Sequence, residues 1–234
     1  MKRAIALILC LFIASPVFGA VVYDSGGSGS VTGQPISLTT SITLGASVNA
    51  VYCGVGWTDS GSRGVSSYTY GGAAMTHVGT SNVGVDVAVA VYRKTAPATG
   101  AQDAVVTMES TGSNLAQGCV GLSGVDQGTP NGTAVDGSAS ADTISATIAI
   151  PANGAGIAFF VHGSTASCGS VSFGETERVD ICDTDTNFGL AISTHGTSGS
   201  TAMDVTIGEV AFLRVVAVPI NPAGRVVVAP IQFQ

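Results

Sequence analysis

The chain has 234 residues, 45% of them hydrophobic and only 10% charged, with 32 glycines and a formal net charge of −7. That length suits one all-β domain or two small ones. Fifteen acidic side chains against eight basic ones argue against a nucleic-acid partner, which needs a basic footprint, and the hydrophobic content argues against disorder except near the ends.

The opening residues Met1-Lys2-Arg3, the apolar run from Ala4 to Ala14 and the small-residue exit Ser15-Pro16-Val17-Phe18-Gly19-Ala20 are the three parts of a secretory signal peptide. Cleavage is expected after Gly19, with Val17 at minus three; a cut after Ala20 would put bulky Phe18 there. The run is well short of the ~20 residues needed to span a bilayer, and Ile8-Leu9 ahead of Cys10 argue against a lipoprotein anchor. The expected organisation is a signal peptide over 1–19, a β-sandwich domain over 20–220 and a β-prone extension over 221–234, in a secreted or periplasmic chain with no membrane span after signal cleavage. Loss of Lys2 and Arg3 with the leader leaves six basic residues, which disfavours an anionic membrane surface as well.

Most segments after the leader have period two and end at Gly, Asn, Asp or Pro. Val21-Val22-Tyr23 is expected to pair with the final sandwich strand, with 26–33 as a flexible link. A first core strand runs from Val48 to Trp57, with Val51, Cys53, Val55 and Trp57 on one face. Gly64 to Val78 follows, broken by Gly71-Gly72, which supplies the positive φ of a tight hairpin turn. The β-branched run over 85–92 suits a sheet interior. Further strands are expected at 104–108, 118–123, 143–150, 156–162, 189–194, 202–207 and 211–219. No stretch sustains a helical pattern over three turns.

About ten short strands at this spacing predict an all-β fold, here a two-sheet antiparallel β-sandwich. Ile157 to Val161 reads as buried on both sides, whereas Thr143 to Ile150 alternates cleanly, so some outer surface is expected to be covered. The terminal stretch Arg225-Val-Val-Val-Ala-Pro-Ile-Gln-Phe233 is either an extra edge strand or a donor strand for self-assembly through residues 221–234.

Four cysteines remain after the leader: Cys53, Cys119, Cys168 and Cys182. An even count in an exported chain predicts two disulfides, with three connectivities open. A hairpin centred on Gly174-Glu175 would set Cys168 opposite Cys182, leaving Cys53 for Cys119. The alternative is four free buried thiols. No pair has the close spacing of a zinc knuckle.

Candidate chemistry is sparse. Asp183, Asp185 and Asn187 have the alternate spacing of calcium-loop oxygen ligands, but the glycine falls one place late and no Glu stands at the twelfth position; a turn held by Asx hydrogen bonds is the competing reading. Trp57, Tyr68 and Tyr70 would form a sugar-stacking surface if exposed and core if not. His162 and His195 each close a strand, and would share one end of the sandwich if their strands ran the same way. Asp126, ahead of Thr129-Pro130, suits an Asx-fixed loop. Asn131-Gly132-Thr133 matches a glycosylation sequon. No nucleophile elbow is present.

The stretches Val65-Ser-Ser-Tyr-Thr-Tyr-Gly-Gly-Ala-Ala-Met-Thr76, Tyr92-Arg-Lys-Thr-Ala-Pro-Ala-Thr-Gly100, Leu122-Ser-Gly-Val-Asp-Gln-Gly-Thr-Pro130 and the strand from Phe212 to Pro219 resemble jelly-roll-like β-sandwich domains of secreted bacterial proteins and phage structural proteins. The likeness spans about residues 45–220; the four cysteines and the tail depart from it. It implies a fold and no catalytic residues. The expectation is an exported non-enzymatic protein with a structural, adhesive or surface-binding role, contacting a glycan or cell-surface component. A lectin-like carbohydrate-binding module and a polysaccharide hydrolase are the alternatives.

Overall fold

Three β-branched and Gly-rich segments carry no polar face, and the fold buries them on both sides. The computed structural model describes residues 19–32, 35–58, 63–82, 87–112, 114–163, 171–183 and 187–224. Among these there is no helix, and the sheets are antiparallel throughout. The predicted leader and the stretch 225–234 lie outside the described residues.

The central sheet has the order β1 (Val22–Thr32), β9 (Asn114–Ser123), β3 (Ala50–Thr58), β7 (Val87–Thr95), β6 (Thr76–Ser81). One face of β3 presents Val51, Cys53, Val55 and Trp57, as the period-two reading requires. These residues pack on Ile42, Leu44, Tyr68, Tyr70, Val106 and Met108, which belong to a short sheet of β2 (Ser37–Leu44), β8 (Gly100–Met108), β4 (Val65–Tyr70) and β5 (Ala73–Ala74). Tyr70 pairs with Ala73 across Gly71 and Gly72, whose φ values of 56° and 75° make the expected primed turn.

The other face of the central sheet meets a third sheet: β10 (Val135–Ile150), β15 (Gly199–Ile220), β11 (Ala155–Gly163), β14 (Phe188–His195) and β13 (Thr176–Asp183), with β12 (Ser172–Phe173) on β15. Glycine makes this approach close. A Cβ on Gly54 would lie 2.2 Å from Phe159 Cδ1, and one on Gly118 would lie 2.8 Å from Ile192 Cδ1. The antiparallel sandwich thus has one more sheet than the two expected, because β3, β7 and β9 are apolar on both faces and need a cover on each.

The third sheet also covers itself. Its ladder breaks between Ala141 and Thr143, opposite the stretch from Thr206 to Ala211. Beyond that break Ile144, Ile148, Ile150, Met203 and Val205 cluster with Ala158, Phe160 and Ala191 from the outward face of β11 and β14. The double-sided burial expected for Ile157 to Val161 follows, and the strands expected at 202–207 and 211–219 are one irregular strand.

Two expected pairings are corrected. Val22 pairs with Ser123 of β9 rather than with the last strand, and Gly26 to Thr32 continue that ladder instead of forming a flexible link. A strand of Gly and Ser is tolerated there because β9 satisfies its backbone. The hairpin around Gly174-Glu175 does not form either, since Ser172 and Phe173 pair with β15 and Thr176 to Asp183 pair with β14. After β15 the chain turns back: Asp126 N donates to Asn221 O at 3.0 Å and Ala223 N to Gly124 O at 2.7 Å.

Candidate functional site

The sequence candidates are largely spent on structure. Trp57, Tyr68 and Tyr70 are only 2%, 3% and 2% exposed, inside the core between the central and short sheets. They form no sugar-stacking surface, because the face of β3 that carries Trp57 is covered by β4 and β8. Burial raises the Tyr68 phenol far above its ordinary range, reinforced by Tyr92, with which its ring is in tilted contact at 5.2 Å.

Cys53 and Cys119 are directly paired in register on β3 and β9 and form a disulfide, with Cα atoms 4.0 Å apart. Cys182 is disulfide-bonded, while Cys168 lies outside the described residues. Of the calcium candidates, Asp185 lies outside the described residues. Asp183 ends β13 opposite Phe188, and Asn187 adopts a left-handed φ of 53° at the entry to β14.

His162 and His195 sit on neighbouring strands that run in opposite directions, so His162 pairs with Gly189 and His195 with Gly156. The two imidazoles are therefore at opposite ends. His162 is buried. Asp126 behaves as the Asx reading expects: its Oδ1 accepts from Gly128 N and Thr129 N, each at 2.7 Å, and Oδ2 from Gly224 N at 3.3 Å. Those donors hold its carboxyl below the usual carboxylate range. The sequon asparagine is also engaged: Asn131 Nδ2 donates to Gly132 O at 2.7 Å, and its Oδ1 accepts from Tyr52 and Arg93.

An open cleft lies elsewhere, where β1 and β13, the edges of the central and third sheets, face each other. It encloses about 230 Å³ and is lined by Tyr23, Leu122, Thr176, Arg178, Thr194 and His195, with Val21, Val22, Ala155 and Gly196 completing the wall. Both edge strands are irregular at this point. The ladder of β1 skips Asp24 and that of β13 skips Arg178, each left between two paired neighbours. A bulge of this kind bends a strand and redirects a side chain.

At Arg178 it turns the guanidinium across the gap onto Tyr23, with Cζ 4.0 Å from the ring centroid, a cation–π contact. Arg178 Nε donates to Thr194 Oγ1 at 2.7 Å. These contacts leave the two terminal nitrogens of the guanidinium without a protein acceptor among the described residues. Glu175, three residues before Arg178, is directed elsewhere: it accepts from Asp204 N at 3.0 Å and from Ser193 Oγ at 3.3 Å. Burial pushes its carboxyl up, and the Asp204 amide pulls partly back.

Sequence reasoning reached His195 as a strand end and missed Arg178 altogether. The available signal was an arginine inside the β-run Thr176-Glu-Arg-Val179 of a chain poor in cations. Comparison with known proteins finds no matching family model, no matching curated protein and no matching solved structure.

Proposed function

We propose that this protein is an exported, disulfide-stapled β-sandwich that works by contact rather than by turnover, as a surface-binding module whose recognition site is the cleft between β1, β13 and β14. The carrying observation is Arg178, held by Thr194 and Tyr23 in the wall of an open cleft in an otherwise acidic protein. A fixed cation beside an aromatic ring and hydroxyls is a few-group arrangement suited to orienting a ligand. The Cys53–Cys119 bond supports export, since such bonds persist in oxidising compartments.

The test is adhesion. Fluorescently labelled mature protein, residues 20–234, is titrated onto intact bacterial cells and onto insoluble cell-wall polysaccharide. Saturable retention on either surface is expected. Retention no greater than that of an unrelated acidic β-protein would contradict the reading.

A further inference from the structure

We infer that the cleft is a carboxylate-binding site, in which Arg178 grips a small monoanionic ligand and Tyr23 and Thr194 fix its orientation; this rests on the surface-binding reading and names its ligand chemistry. Arginine presents five N–H donors in a planar fork that matches a carboxylate two atoms to two. Here Nε is already used on Thr194, so the fork edge formed by the two terminal nitrogens is the one turned toward ligand. The contact with the Tyr23 ring, Cζ to centroid 4.0 Å, and the Nε bond to Thr194 restrain the side chain, so less rotamer freedom remains to be lost on binding.

Thr194 Oγ1 accepts from Arg178, and its own O–H remains able to donate to a ligand oxygen. Thr194 is buried, opposite Thr176 in the β13–β14 ladder. His195, the next residue of β14, also lines this end of the cleft, with its side chain on the opposite face of the strand from Thr194. The charge arithmetic favours a monoanion. One guanidinium balances one carboxylate, whereas a phosphate dianion calls for further cations, and Arg178 is the one Lys or Arg among the described residues that line the cleft.

Size agrees. About 230 Å³ is below the 300–1,000 Å³ of drug-sized sites, and suits one ring bearing a carboxylate or a small free acid. The apolar wall of Val21, Leu122 and Ala155 gives the uncharged face of such a ring a place to rest.

Isotope-labelled mature protein is titrated with glucuronate, with glucose as its uncharged counterpart, and with acetate, following backbone amides by NMR. Glucuronate is expected to shift the amides of Tyr23, Arg178 and His195 saturably, and glucose to leave them in place. Tighter binding of glucuronate than of acetate identifies an acidic sugar as the source of the carboxylate; equal binding identifies a free acid. Arg178→Ala is expected to weaken glucuronate by about 30-fold, the scale of a charged hydrogen-bonded contact. Arg178→Lys keeps the charge but loses the fork, and is expected to fall between the two.

Equal shifts from glucose and glucuronate would overturn the inference. So would silence from both acids, or undiminished glucuronate binding in a folded Arg178→Lys or Arg178→Ala protein. Repeating the adhesion assay with the same variants separates the two readings. Adhesion together with silence toward both acids leaves surface binding standing, at a place other than this cleft, and refutes the carboxylate site; Arg178-dependent glucuronate binding without adhesion does the reverse.

Discussion

Phe159 lies where a side chain at position 54 would be, so Gly54 is a packing requirement more than a flexible point. Gly54→Ala is expected to destabilise by about 1–3 kcal/mol, the usual cost of forcing an extra carbon into a filled core. Phe159→Leu in the same chain should recover part of that loss, which a double-mutant cycle in urea would measure; strict additivity would show that the two positions do not compete for one space. At Asp126 the folded carboxyl sits below its ordinary range, so its contribution to stability is present above about pH 4 and is lost as pH falls through the folded value. Asp126→Asn keeps an oxygen acceptor without the titration. Its thermal midpoint should therefore fall less steeply than wild type between pH 4 and 2, and parallel curves would contradict the assignment. Residues such as Asp126 and Gly71 were legible in the sequence because their partners are two or three positions away. Trp57 and Tyr70 were not, because their exposure depends on which sheet covers β3.

The cross-strand bond between β3 and β9 spans a sequence separation of 66 residues. By loop-closure entropy it is worth about 4 kcal/mol. The Cys53→Ala/Cys119→Ala double variant should lose stability on that scale in equilibrium denaturation. A loss under ~1 kcal/mol would mean the unfolded chain is scarcely constrained by the bond. Among the elements, the apolar runs that became β3, β7 and β11 were read correctly because burial on both faces leaves an unmistakable sequence. β2 was missed: its inward residues Thr40, Ile42 and Leu44 alternate properly, but Ser and Thr fill most of the rest, and the β-signal is weak. The outer half of β10 was missed for the same reason. β13 was assigned the wrong neighbour, since a plausible turn at Gly174-Glu175 said nothing about the better partner that β14 supplies from farther along the chain.

At the scale of the molecule, three sheets share two main cores, and the third sheet closes a further one on itself. Sheet number was beyond a strand-by-strand reading, because pairing such as β1 on β9 joins residues nearly a hundred positions apart. The cleft is a product of that assembly: its walls come from five different strands, brought together where two bulged edges meet. Everything said of the site therefore rests on the central sheet lying between two covers. Native-state hydrogen exchange tests that arrangement most directly. Amides of β3 from Tyr52 to Trp57, bonded on both sides to β7 and β9, should exchange only through global unfolding, whereas those of the edge strands β2 and β6 should open more readily. Exchange of β3 as fast as that of β2 and β6 would contradict the stack and the cleft built on it.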